Sequence, residues 1–137
     1  MKDTKSLAER IEIIPRHKIE DSRGWFLKAI TGKEKGLPNC TGEIYTVYSK
    51  EGASRGGHYH IKAKEWFTLL TGKCVLELKD INTDELMTIE LDSGKSVTVV
   101  IPPNIAHRFD AVKKYPFLVL AYTDQLYNPK DTIICEF

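Results

Sequence analysis

At 137 residues, 42% of them apolar, the chain has the length of one domain around a single core and no space for a second, cofactor-binding domain. Its 20 basic and 19 acidic residues leave a net charge of +1, so nothing in the charge balance marks a nucleic-acid or membrane-surface protein, and neither partner is expected. Cys40, Cys74 and Cys135 are scattered, odd in number and without a C-x-x-C pair, which argues against a disulfide scaffold or a thiolate zinc site and for reduced, packed thiols.

The start, Met1-Lys2-Asp3-Thr4-Lys5, leads into charge where a signal peptide has its apolar stretch, and no apolar run reaches the length of a membrane span. A cytoplasmic location is expected. Thr4 to Arg10 predicts a short helix. From Ile11 onward the chain is a series of short apolar or alternating runs cut by Gly, Pro, Asn and Asp, an all-β pattern. Strands are predicted over residues 11–15, 24–30, 43–48, 55–60, 66–70, 74–79, 86–91, 96–101, 107–112 and 117–123. Leu70-Thr71-Gly72-Lys73, Ile81-Asn82-Thr83-Asp84 and Leu91-Asp92-Ser93-Gly94-Lys95 read as hairpin turns, giving an up-and-down run of antiparallel strands. Strands this short and numerous hide their edges by closing into a barrel or stacking two sheets. There is no internal repeat or low-complexity stretch.

The segment Gly57-His58-Tyr59-His60-Ile61-Lys62-Ala63-Lys64-Glu65, followed by Gly72, carries the chemistry. His58 and His60 are two apart, so on a strand both rings project from one face and one cation can take both. Glu65 is an odd number of residues after His60, so a turn through Ile61 to Lys64 is needed to bring its carboxylate back. A third imidazole, His107, follows Pro102-Pro103-Asn104-Ile105-Ala106, where the prolines stop a strand and Asn104 tolerates a left-handed turn. Three imidazoles and a carboxylate with open positions suit Zn²⁺ first, and Fe²⁺, Mn²⁺ or Ni²⁺ as well. The bland alternative is an accidental H-x-H and a His107 that only packs. His17 is assigned to the surface, and Lys62 and Lys64 most simply belong to a solvated turn.

These motifs resemble those of the cupins. His58, His60, Glu65 and Gly72 match the family's first motif in every spacing; Pro102, Asn104 and His107 match the second, with Asn104 in place of a glycine and Ala111 where an asparagine often follows. The resemblance implies a jelly roll, or double-stranded β-helix, with a core over residues 42–127. The strands before Gly42 would lie outside that core and pair with a second subunit, giving a homodimer.

Two further segments narrow the resemblance. Ser54-Arg55-Gly56-Gly57-His58-Tyr59-His60 is similar to the R-G-x-H segment of enzymes acting on nucleotide-linked 4-keto sugars, and Asp21-Ser22-Arg23-Gly24-Trp25-Phe26 to the D-x-R-G-x-F segment of dTDP-4-dehydrorhamnose 3,5-epimerases. From Gly42 to Thr132, including Tyr127-Asn128-Pro129-Lys130-Asp131-Thr132, the chain resembles the C-terminal cupin domain of bifunctional capsular-polysaccharide reductase-epimerases. Leu118-Val119-Leu120-Ala121 is similar to the sugar 3,4-ketoisomerases. Metal-free 3,5-epimerases usually have Gln at the position of His60 and Lys at that of Glu65, and the ketoisomerases have Gln at Glu65, so Glu65 favours metal.

The resemblance implies an epimerase or ketoisomerase for a nucleotide-linked 4-keto sugar in cell-surface polysaccharide biosynthesis. Such a reaction removes a proton beside a ketone, holds the enolate and returns a proton to another face or carbon. His58 or His60 suits the base only where it is not consumed as a ligand. Tyr59, Tyr122, Tyr127 and Lys64 are the other proton carriers, and Tyr59 and Lys64 also substrate contacts; the tyrosine acid of the 3,5-epimerases aligns near Ala121, beside Tyr122. Arg23 and Arg55 are candidates for the diphosphate, whose oxygens match guanidinium forks; the alternative for each is a solvated or structurally paired arginine. Trp25, Trp66 and Phe67 read as core. Two rival functions stand: a non-catalytic sugar- or metabolite-binding cupin, and a small Fe²⁺-dependent dioxygenase using the same ligands.

Overall fold

The computed structural model describes residues 5–39 and 42–137. Cys40 and Thr4 lie outside the described residues. The one α-helix among the described residues, α1 (Leu7–Arg10), starts at Ser6, whose hydroxyl accepts from the Glu9 backbone N–H while the Glu9 side chain accepts from the Ser6 N–H. This reciprocal cap holds a single turn, and buried Leu7 anchors it to the core.

The strands are β1 (Glu12–Pro15), β2 (Lys18–Asp21), β3 (Gly24–Leu27), β4 (Ile44–Ser49), β5 (Ser54–Tyr59), β6 (Glu65–Thr71), β7 (Lys73–Asp80), β8 (Leu86–Asp92), β9 (Val97–Ile101), β10 (Ile105–Ala111), β11 (Phe117–Thr123) and β12 (Ile133–Ile134), with a 3₁₀ turn at Pro129–Asp131. One five-stranded sheet has the order β1-β9-β6-β11-β4 and a second the order β12-β5-β10-β7-β8; among the described residues β2 and β3 pair only with each other. The core is the space between the two five-stranded sheets. Phe67, Leu69, Val99, Ile101, Phe117, Val119 and Ala121 enter from the first, and Leu76, Leu78, Leu91, Ile105 and Phe109 from the second. The all-β jelly roll expected from the sequence is the architecture found.

The expectation of an up-and-down run is corrected. Only the turn at residues 81–84 joins partners in a ladder, β7 and β8. Gly72 and the turn at residues 92–95 instead carry the chain from one sheet to the other. Gly72, at φ 87°, is so close to the next strand that a Cβ would stand 2.0 Å from the Pro116 carbonyl oxygen. Turn chemistry is legible locally, but whether the flanking strands pair depends on which sheet buries each apolar face. Strands β2 and β12 were not foreseen: Lys18-Ile19-Glu20-Asp21 is mostly polar and extended only as the partner of β3, and β12 has two residues.

The segment from Lys28 to Asn39 covers the outer face of the first sheet. Glu34 accepts from the Thr31 and Gly32 backbone and pairs with Arg16 at 2.9 Å, while Arg16 and Thr98 both donate to the Ala29 carbonyl. Trp66 and Thr68 therefore lie buried on the side of β6 that faces away from the core. Among the described residues no helix is long and apolar enough to cross a membrane.

Candidate metal centre and substrate cavity

The glycine pair before H-x-H sets the first two imidazoles. β5 and β10 run antiparallel with a bulge that places His58 directly opposite His107 while Arg108 pairs with Gly56. Gly56 and Gly57 adopt φ 96° and 82°, and a Cβ on Gly56 would meet the His107 carbonyl at 2.8 Å. Only glycine fits such a bulge without strain, so the G-G-H sequence is what turns His58 toward His107. Asn104, at φ 65°, makes the left-handed turn before β10, and its N–H donates to the His60 carbonyl at 2.7 Å.

Glu65 comes from the opposite sheet. The chain leaves β5 after Tyr59, turns through Ile61–Lys64 as the parity argument requires, and enters β6 at Glu65. Asp131 holds that turn: its carboxylate accepts from the backbone N–H groups of Ile61, Lys62 and Ala63 at 2.8 to 3.3 Å, and Asp124 accepts from Lys64 N–H at 3.0 Å.

The three imidazoles each offer a nitrogen, and those atoms lie within 4.8 Å of one another. His60 Nδ1 donates to the Asp131 carbonyl at 2.8 Å, since a carbonyl only accepts; its Nε2 is thereby left as the lone-pair nitrogen. His107 Nδ1 faces the Ile105 carbonyl at 3.3 Å in the same sense. Glu65 Oε1 lies 2.9 Å from His60 Nε2 and 3.5 Å from His107 Nε2. Both His60 Nε2 and Glu65 Oε1 are buried and neither makes a well-formed hydrogen bond. Buried polar atoms are rarely left so, and here they converge on one point together with His107 Nε2. Three neutral-capable nitrogens and a carboxylate oxygen are the donor set of a divalent transition ion, so the residues present fit one.

Electrostatics separate the three rings. Burial pushes His107 down to about 4, more than the nearby Glu65 charge raises it. Burial, and then the His60 charge, lower His58. His60 is raised instead: burial opposes its charge, but the contact with Glu65 outweighs it. Burial likewise disfavours the Glu65 carboxylate, and the His60 and His107 neighbours outweigh that and hold it below its usual range.

These donors floor a cavity of about 300 Å³ whose walls include Glu43, Tyr45, Thr123, Gln125, Leu126, Tyr127, Asn128 and Thr132. Of the predicted site residues, His58, His60, Glu65 and Tyr127 line it, with His107 buried beneath. The others stand elsewhere. On β11 the odd positions from Phe117 to Thr123 are buried inward, so Tyr122 is on the outer face, stacked on Trp66 at 5.3 Å and lining a second cavity with Trp25 and Leu120. It cannot serve the histidines. Tyr59, between two inward histidines, faces away by the same parity and does not line the cavity. Lys64 Nζ lies 5.2 Å from the Trp66 ring centroid, on the outer side of the sheet. Arg23 is exposed at the β2–β3 turn and paired with Asp21 at 2.6 Å, and Arg55 is exposed with a hydrogen bond to the Tyr48 carbonyl. Neither arginine reaches the cavity within one chain.

Sequence reasoning missed Tyr45 and Asp131. Tyr45 donates to Glu65 Oε2 at 2.6 Å from β4, two strands away across the sheet. Burial, then the Glu65 charge, push its hydroxyl far above its usual value, so it stays a donor. No short-range motif marks either residue; Asp131 stands in the Y-N-P-K-D-T run, a recognisable string whose physical use was not evident.

A family model described as the polysaccharide biosynthesis C-terminal domain matches residues 19–133. The chain belongs to this family. No curated protein matches it significantly. Among solved structures it is similar to the capsular polysaccharide assembling protein CapF of Staphylococcus aureus, with 24% identity, a TM-score of 0.66, and coverage of 90% of this chain and 33% of that one. The chain thus spans about a third of the length of CapF. A dTDP sugar isomerase of Desulfovibrio desulfuricans G20 aligns at TM-score 0.84 with 19% identity, over 93% of this chain and 85% of that one. The dTDP-6-deoxy-D-glucose-3,5-epimerase RmlC of Legionella pneumophila, in complex with dTDP-4-keto-L-rhamnose, aligns at 0.78 with 19% identity, over 93% and 73%. These likenesses establish the fold that the family shares with dTDP-sugar enzymes.

Proposed function

We propose that the chain is a metal-dependent cupin epimerase or ketoisomerase acting on a nucleotide-linked 4-keto sugar in cell-surface polysaccharide biosynthesis. The observation that carries this reading is the cluster of His58, His60 and His107, met by Glu65 from the opposite sheet beside His60 and His107, at the floor of an open cavity of about 300 Å³. The family match and the dTDP-sugar enzymes of the same fold supply the substrate class.

The four side chains would hold the ion, which would polarise the ketone oxygen and stabilise the negative charge that develops there. The Asp131 carbonyl and the buried Ile105 carbonyl keep His60 and His107 oriented for that duty. A nitrogen used as ligand takes no proton, so the C–H proton beside the ketone goes to a group on the wall. The Glu43 carboxylate lines that wall and would accept the proton, and Tyr127, the predicted proton carrier that lines the cavity, would as a phenol return one to the other face. Glu43, Gln125, Asn128 and Thr132 offer hydrogen bonds to sugar hydroxyls.

The diphosphate requires cations that this cavity's described lining does not include. Arg23 stands on a hairpin that, among the described residues, pairs with no other strand, and it would meet a substrate across a homodimer interface. The same acidic, cation-poor lining is what favours the rival reading, a non-catalytic cupin for a neutral sugar. Incubation with a dTDP- or UDP-4-keto sugar in deuterated water separates the two. Solvent deuterium at carbons flanking the ketone, lost in Tyr127→Phe, is expected; binding without exchange in any keto sugar tried would contradict the enzyme reading.

A further inference from the structure

The two oxygens of Glu65 have different neighbours. Oε2 accepts from the Tyr45 hydroxyl at 2.6 Å, whereas Oε1 faces His60 Nε2 and His107 Nε2 without a well-formed hydrogen bond. Tyr45 pairs with Ala121 on β11, and Ala121 with Phe67 on β6, two residues along from the Glu65–Thr123 pair and on the same face. Strands two apart in a sheet are separated by about 10 Å, so a phenol from β4 reaches Glu65 only by passing over β11. Ala121, fully buried and with no side chain beyond Cβ, is what leaves that path open. The tyrosine and the alanine are therefore matched parts of one device.

We propose that Tyr45 is a positioning residue that restricts Glu65 to a single-oxygen contact with the bound ion, through Oε1, and so keeps a coordination position free toward the cavity for a substrate oxygen. This rests on the metal reading above. A carboxylate that turns both oxygens to an ion fills two positions; a hydrogen bond that occupies the second oxygen opposes that rotation, as partners of metal ligands do elsewhere. Tyr45 also lines the cavity, so the same phenol borders the space that the free position would serve.

The test compares wild type and Tyr45→Phe, loaded with Co²⁺ as the probe. The phenylalanine keeps the ring's volume, and the melting of the metal-free proteins reports separately on folding. Expected for the variant are a loss of Co²⁺ affinity of about 10- to 100-fold and weaker visible absorption, the sign of a higher coordination number as Glu65 turns both oxygens inward. A second measurement needs no variant: X-ray absorption on wild-type protein loaded with Zn²⁺ should show imidazole nitrogens and one carboxylate oxygen at bonding distance. Two carboxylate oxygens in wild type, or a variant with unchanged affinity and spectrum, overturns the role of Tyr45. Wild-type protein that takes up neither ion overturns the metal reading itself, a different outcome.

Discussion

Gly72 shows how a motif glycine is a requirement of backbone geometry. It sits in the left-handed region at φ 87° with the Pro116 carbonyl where a Cβ would be, so Gly72→Ala meets both backbone strain and a clash with main chain that cannot swing aside. A loss of about 3 kcal/mol is expected, read as a lower denaturation midpoint; an unchanged midpoint would show that the crossing between sheets is not built as described. The clustering of the three imidazoles was legible at this scale because each obeys a local rule: H-x-H puts two rings on one strand face, and Asn104 supplies the turn before His107. Tyr122, Tyr59 and Lys64 stand outside the cavity for the reverse reason. Each is beside a residue that does face the core, and a shift of one position on a strand moves a side chain to the other face.

Among the elements, the covering segment from Lys28 to Asn39 gives the clearest titration. The Glu34 side chain is only 5% exposed; burial alone would raise its carboxyl, but hydrogen bonds from Thr31, with Arg16 beside it, bring it from 4.5 to about 2. A folded value below the unfolded one means stability present in full above pH 4.5 and lost as the pH falls toward 2. The gap in urea midpoint between wild type and Glu34→Gln should therefore narrow as the pH falls through that window, and a gap independent of pH would contradict the assignment. The strands themselves were legible because alternation and turn residues are local signals. Their pairing was not, since β6 leads into β7 and β8 into β9 across the core rather than along a ladder. Tyr45 and Asp131 escaped for the same reason: they meet Glu65 and His60 from positions 20 and 71 residues away.

On the scale of the whole molecule, the two sheets divide the labour: one brings three imidazoles, the other a carboxylate and its tyrosine. The β2–β3 hairpin belongs to neither sheet and exposes Ile19, Trp25 and Phe26. An isolated two-stranded hairpin is marginal in water, which supports the proposed homodimer with this hairpin at its interface. Sedimentation should give a dimer that Trp25→Ser combined with Phe26→Ser weakens; a wild-type monomer at all concentrations would contradict it.

The proposed chemistry requires His58, His60, His107 and Glu65 to hold a divalent ion together. Its most direct test is elemental analysis of folded protein purified without chelators, alongside His107→Ala and Glu65→Gln. One equivalent of a transition ion, zinc foremost, is expected in the wild type and a large loss in both variants. A folded wild type free of metal that also refuses added Zn²⁺, Fe²⁺, Mn²⁺ and Ni²⁺ would contradict it.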